Sequence, residues 1–189
     1  MQRAYKSAVV LGVPAHHRPL SHPPPPWPSP PSAARYITGH DASGKSVFLY
    51  EGAIPTFTAG LDAVTQHGLP WSAADPPDLA DNTDTQLTTT TQIHTGAGST
   101  ARFLVVPPGN TAVMHRTATL DYIIIQKGEI VLELDDGSER VCREGDLVVQ
   151  RGTNHAWHNR SDKPCQFYAI ILTAPLPKIN GKQLEASHA

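Results

Sequence analysis

Cysteine is scarce in this chain, with two residues in 189, Cys142 and Cys165, and they stand in no C-x-x-C or other ligand spacing. A thiolate metal site is therefore not expected, and the two are read as buried free thiols in a reducing compartment, with a disulfide as the alternative if the barrel brings them together. Charge of one sign is lacking as well. The formal net charge is −2, without a basic stripe or a long run of like charges, so there is no phosphate-binding footprint and nucleic acid is not expected as a partner. Long apolar runs are missing too. The best N-terminal candidate, Ala8 to Val13, is stopped by Pro14, far short of the ~20 residues that cross a bilayer. A soluble, cytoplasmic protein without a membrane partner is the expectation, and the proline-broken N-terminus argues against a targeting helix.

What the chain has in excess is proline, and half of its 18 prolines lie between Pro14 and Pro31. So little apolar material alternates with them that residues 1–34 read as a disordered or polyproline II tail, in which His16, His17 and His22 are solvated. Order is expected from Arg35. Two short strands flank the turn Asp41 to Gly44 and make a hairpin, after which residues up to 100 read as a long loop or lid around Trp71, Pro76 and Pro77.

From Thr100 the pattern changes to dense β signal. Runs at Arg102–Val106, Thr111–Thr117, Tyr122–Gln126, Glu129–Leu134, Arg140–Arg143, Leu147–Gln150 and Gln166–Thr173 are rich in β-branched and aromatic residues. Asp135-Asp136-Gly137 between two of them is a tight-turn signal that makes Glu129–Leu134 and Glu139–Arg143 an antiparallel hairpin. Seven strands in some seventy residues imply one all-β barrel or sandwich over residues 101–177, followed by a short tail, 178–189. Closing the sheet removes exposed edges and lines the interior with every second residue. Period two places Val113, His115 and Thr117 on one face, Asp121 at the start of the next strand, and His155 just after the turn at Gly152, with Trp157 and Asn159 on its own face. His158 has the wrong parity for that interior.

The spacing Gly109, five residues, His115, one residue, Thr117, three residues, Asp121, six residues, Gly128 resembles the first motif of the cupin superfamily. Gly145-Asp146, then Gly152, two residues, His155, three residues and Asn159 resembles the second, sixteen residues later. The resemblance covers about 75 residues and implies a single cupin-type jelly-roll barrel. It departs from the family pattern in four places. Thr117 stands where a second histidine is usual, and Asp121 where a glutamate is. Gln150 takes a proline position, and the opening glycine is displaced by one residue, which implies a local bulge.

The remaining set, His115, Asp121 and His155, has the composition of the facial triad that holds non-heme Fe(II), the preferred metal, with Zn(II) or no metal as alternatives. His94, in a Thr-rich segment upstream, is a candidate replacement for the missing imidazole. Without metal, His115 or His155 acts as general base near neutral pH, with Asp121 orienting the ring. Thr117, Tyr122, Gln150, Arg151 and Trp157 are the candidates for positioning substrate. These surroundings resemble small single-domain cupins of fungal polyketide gene clusters, which implies a tailoring oxidoreductase acting on a small molecule. A dehydratase, decarboxylase or aldol cyclase using the same residues is the alternative, and a non-catalytic ligand-binding cupin a third. A homodimer through sheet edges fits the superfamily.

Overall fold

The computed structural model describes residues 33–58, 64–87, 96 and 98–188, and the expected proline-rich tail and His94 lie outside that set. Fifteen strands, and no helix among the described residues, follow in order. They are β1 (Ala34–His40), β2 (Ser46–Ala53), β3 (Phe57–Thr58), β4 (Gln66–Ala73), β5 (Ser99–Val106), β6 (His115–Arg116), β7 (Thr119–Lys127), β8 (Glu129–Leu134), β9 (Glu139–Arg143), β10 (Leu147–Arg151), β11 (His155–His158), β12 (Cys165–Thr173), β13 (Lys178–Ile179), β14 (Lys182–Gln183) and β15 (Ser187–His188). A six-stranded sheet in the order β10-β7-β12-β5-β4-β3 faces a five-stranded one in the order β15-β6-β11-β8-β9.

Alternation decides which residues meet between the sheets. Along β7, Thr119, Asp121, Ile123 and Ile125 are buried while Tyr122 and Ile124 face out. Val106, Ile123, Ile125, Phe167, Ala169 and Ile171 from one sheet pack with Ile130, Cys142 and Trp157 from the other. Ile125 and Ile130 are each 1% exposed, and burial of such a side chain contributes roughly 1.5–3 kcal/mol. Cys142 and Cys165 are both buried in this core and unlinked, and burial pushes the Cys165 thiol up to about 12, so it stays protonated and unreactive.

The β1–β2 hairpin, with Gly44 in the left-handed region at φ 80° and Asp41 bonded to the turn amides, lies against the opposite face of the large sheet. There Ile54 packs with Phe103, Val105, Ala33 and Tyr168. Arg35 clasps it in place by a bidentate pair with Asp84 and a 3.1 Å bond to the Pro70 carbonyl. The large sheet takes in β3 and β4, whereas the sequence reads there as a loop, because Gly68 and Pro70 break the alternation. The β4–β5 register slips between Gly68 and Trp71 to accommodate them.

Two turns fix the barrel end. Gly128, at φ 82° between β7 and β8, has no room for a Cβ, which would stand 2.9 Å from the Pro164 carbonyl oxygen. Gly137 closes the β8–β9 hairpin at φ 78°, as the Asp-Asp-Gly signal predicts. The strand expected over Thr111–Thr117 shrinks to His115–Arg116 plus a bridge from Thr111 to His158. No bulge follows the displaced glycine: the β10–β7 register runs evenly from Leu147↔Ile124 to Arg151↔Leu120, and the Arg143–Asp146 turn absorbs the offset.

Candidate active site

His115 and His155 are direct cross-strand partners on β6 and β11, and their rings lie 4.4 Å apart, centroid to centroid, tilted by 53°. Each is held by the same local device. His115 Nδ1 donates to the Val113 carbonyl at 2.9 Å and His155 Nδ1 to the Thr153 carbonyl at 3.0 Å, two residues back in both cases. A neutral imidazole that donates through Nδ1 carries its lone pair on Nε2, so both histidines are set as Nε2 acceptors. Gly152, at φ 60°, starts the turn that delivers His155.

The other wall is a row of the large sheet in which Thr100, Ile171, Asp121 and Gln150 lie side by side in register. The Gln150 amide connects this row to the histidine pair, its Nε2 standing 3.1 Å from His155 Nε2 and 3.3 Å from Asp121 Oδ2. Two acceptors flanking one nitrogen identify it as the NH2 group, which has two hydrogens to give. The amide carbonyl, Gln150 Oε1, is buried with no hydrogen-bond partner among the described residues. Asp121, Gln150 and His155 are each nine-tenths buried or more.

Burial and the neighbouring His115 lower the His155 pKa to about 4. His155 is thus a neutral acceptor at physiological pH, where an unperturbed histidine would be partly charged. The unfolded chain binds the proton near pH 6.5 and the folded one only near pH 4. His155 therefore supports folding fully above pH 6.5, and that support is lost as pH falls through the window toward 4. Urea midpoints should show a stability loss between pH 7 and pH 5 that is smaller by roughly 2 kcal/mol in His155→Gln than in the parent. Parallel losses in the two proteins would contradict the shift.

The other residues singled out by sequence divide by parity. Thr117 is buried with its hydroxyl 2.7 Å from that of Thr119, so the position of the usual second imidazole is filled by a satisfied hydroxyl pair. Trp157 lies 6.4 Å from His155, edge-on, and packs at 5.7 Å on Phe167, closing the apolar floor of the interior. Tyr122 and Arg151 do not join the site: both have outward parity, and Tyr122 is 38% exposed. Arg116 pairs with Asp135 instead of Asp121. His158 points away from the pair, as its parity predicts, yet is buried and bonded to Glu133 at 2.7 Å. Asn159, fully buried, ties the Val106 and Lys163 carbonyls together and so fixes the exit of β11.

The ligand set His115, Asp121 and His155 does not fit a three-ligand metal centre as it stands. Among the described residues no three His, Cys, Asp or Glu side chains come together in a way that could hold an ion. Between Asp121 and His155, where a cation would bridge them, stands a hydrogen-bond donor, the Gln150 NH2. A residue missed by sequence reasoning also faces the interior: Arg102, 5% exposed, with the same parity on β5 as the core residues Leu104 and Val106. That parity was the available signal, and a charge heading an apolar strand hid it.

The Cupin_2 family model, a cupin domain, matches residues 102–171, which hold His115, Asp121, Gln150 and His155. Phomopsin biosynthesis cluster protein C' of Diaporthe leptostromiformis is 39% identical over 159 residues, covering 79% of this chain and 83% of its own length. This chain is a cupin. Within the family it is also similar to the cupin-domain-containing oxidoreductase fogC of Aspergillus ruber, at 33% identity over 80% of this chain and 77% of the relative. A solved Cupin 2 conserved barrel domain protein from Salinispora arenicola aligns with 43% of this chain and 68% of its own, at 27% identity and a TM-score of 0.37. No helix among the described residues of this cupin is long and apolar enough to cross a membrane.

Proposed function

We propose that this cupin is a tailoring oxidoreductase of secondary-metabolite biosynthesis, holding a small molecule inside the barrel against His115 and His155. The reading draws on relatives whose names place them in biosynthetic clusters or among cupin-domain oxidoreductases. The observation that carries it into chemistry is the Asp121–Gln150–His155 chain of hydrogen bonds, which points one buried, neutral imidazole nitrogen at the interior. That nitrogen is a base. It takes a proton from an acidic C–H or O–H of the substrate once the Gln150 NH2 that donates to it at rest swings aside, and the apolar floor excludes water. Fe(II) or Zn(II) at His115, Asp121 and His155 would meet the Gln150 NH2, a donor that does not suit a cation, and no step is routed through a metal.

A second reading shares the same proton transfer, and the Gln150 contact favours it: dehydration, decarboxylation or aldol ring closure, in which no electrons leave the substrate. Turnover of a polyketide aldehyde or ketone beside an oxygen electrode separates the two. The oxidoreductase is expected to consume dioxygen as electron acceptor and to give either a product short of two hydrogens with hydrogen peroxide, or one with two hydrogens replaced by an oxygen together with water. An isomer, or a product short of water or carbon dioxide, formed at an unchanged rate without oxygen would replace it by the second reading.

A further inference from the structure

After β12 the chain turns back along the barrel end that carries the two histidines, and residues 174–188 lie outside the stretch 102–171 that the family model matches. The Ala174 N–H donates to the Ala118 carbonyl at 3.0 Å. Leu176 covers the turn at Gly152, where a Cβ would stand 2.6 Å from its Cδ2. After the β13–β14 hairpin, β15 joins the small sheet beside β6, with Ser187 opposite Arg116 and His188 opposite His115. The Ser187 hydroxyl donates to Asn154 Oδ1 at 3.3 Å, one residue before His155. The strap is thus tied to both segments that deliver the histidine pair.

Its register makes a row of three histidines, His188, His115 and His155, across β15, β6 and β11. Partners in register share one face of a sheet, in strands about 5 Å apart. His115 is half-buried where His155 is 3% exposed, so the row opens to solvent on the side of β6 and β15. We propose that His188 is a third imidazole of the site, donating a hydrogen bond to the substrate oxygen on which negative charge builds when His155 takes its proton. The side chains described above leave that task open: His115 and His155 carry Nε2 as acceptors, Asp121 accepts, and the Gln150 hydrogens are committed to Asp121 and His155. An imidazole has a hydrogen to give in either protonation state. A C–H is acidic when it adjoins a carbonyl, and the charge left by its proton gathers on the carbonyl oxygen. A donor set there in advance stabilises it, and no proton changes hands at His188. The inference rests on the reading of His155 as base in a small-molecule site, and it adds the substrate class, a carbonyl compound with an acidic C–H beside the carbonyl.

Deuterium exchange into 2-tetralone in heavy water, followed by proton NMR with the full-length protein, tests this without the natural substrate. The parent is expected to accelerate exchange of the C–H next to the carbonyl, and His155→Gln to remove the acceleration. His188→Ala should lower the saturated exchange rate by roughly 10²-fold with half-saturation little changed, the loss that follows removal of one such donor. His188→Gln, whose amide also donates, should recover most of that rate. His188→Met keeps the volume without the donor and repeats the test if the alanine variant does not fold. A rate that survives His188→Ala and His188→Met while His155→Gln is slow would overturn the role of His188 and spare the base. A loss that glutamine does not repair would overturn it too, leaving β15 a structural strand. Exchange by the parent no faster than in buffer would overturn both.

Discussion

His155→Gln is expected to slow turnover of the small-molecule substrate by roughly 10²- to 10⁴-fold, the range that a well-placed general base contributes, without unfolding the barrel. Glutamine is close to histidine in volume and can accept from the Gln150 amide, so packing against His115 and Trp157 is largely kept. What it lacks is a nitrogen that can take and hold a proton. Two controls give the expectation its meaning. Tyr122→Ala and Arg151→Ala alter residues that sequence spacing places near the site but whose side chains have outward parity. Both should leave turnover within about twofold of the parent, since surface changes away from a site do little. A His155→Gln protein as active as these two would remove His155 from the chemistry. The far-ultraviolet spectrum and unfolding midpoint of each variant separate lost chemistry from lost fold.

Gln150→Glu is expected to create a metal centre in the site. The parent amide gives one hydrogen to Asp121 Oδ2 and one to His155 Nε2. A carboxylate in its place gives none, and stands beside a second carboxylate at hydrogen-bonding distance in a buried site. Like charges so close cannot both remain ionised without a counter-cation. Two carboxylates, His155 and the adjacent His115 then form an oxygen and nitrogen donor set suited to Zn(II), Co(II) or Fe(II). The variant should bind Co(II) at least 10²-fold more tightly than the parent, with visible absorption bands that the parent lacks at the same concentration, and should lose most of its turnover. If the parent binds Co(II) as tightly as the variant, the amide is no obstacle to a cation, and the hydrogen-bonded reading of the site is wrong.

How much of this was legible before the structure depended on whether a residue's place follows from chain-local rules. The barrel did, because the glycines at 109, 128, 145 and 152 and the Asp-Asp-Gly turn set strand ends within the sequence itself. So did the convergence of His115 and His155, one at each end of the paired motifs. The β4 strand was hidden because Gly68 and Pro70 interrupt its alternation, and only pairing with β5 makes it a strand. The outward direction of Tyr122 and Arg151 was readable from period two, since Asp121 and Gln150 face in, but proximity along the chain suggested otherwise. The Gln150 bridge was not readable at all. It depends on the cross-strand register of β10 with β7 and on the opposite sheet bringing His155 within 3.1 Å. Arg102 belongs with Gln150: a charge in a strand is ordinarily at the surface, and its burial is decided by two neighbouring strands.

Asp121 takes its role from the same register. Its partner is an amide that links it to His155, and the Arg116 guanidinium pairs instead with Asp135. A carboxylate that fixes the amide NH2 on His155 Nε2 holds that imidazole neutral and oriented at rest. Substituting Asp121 would test that link less cleanly than substituting His155, because the aspartate lies in the register row as well as in the hydrogen-bond chain.

The most direct measurement is the turnover rate of exhaustively chelated protein, read before and after adding back Fe(II) and Zn(II), with His155→Gln alongside. Full activity after chelation, no gain on adding either metal, and a rate lower by about two orders of magnitude or more in the variant are the expected results. Activity that disappears on chelation and returns with one of the metals would contradict the hydrogen-bonded base and restore the metal centre in its place.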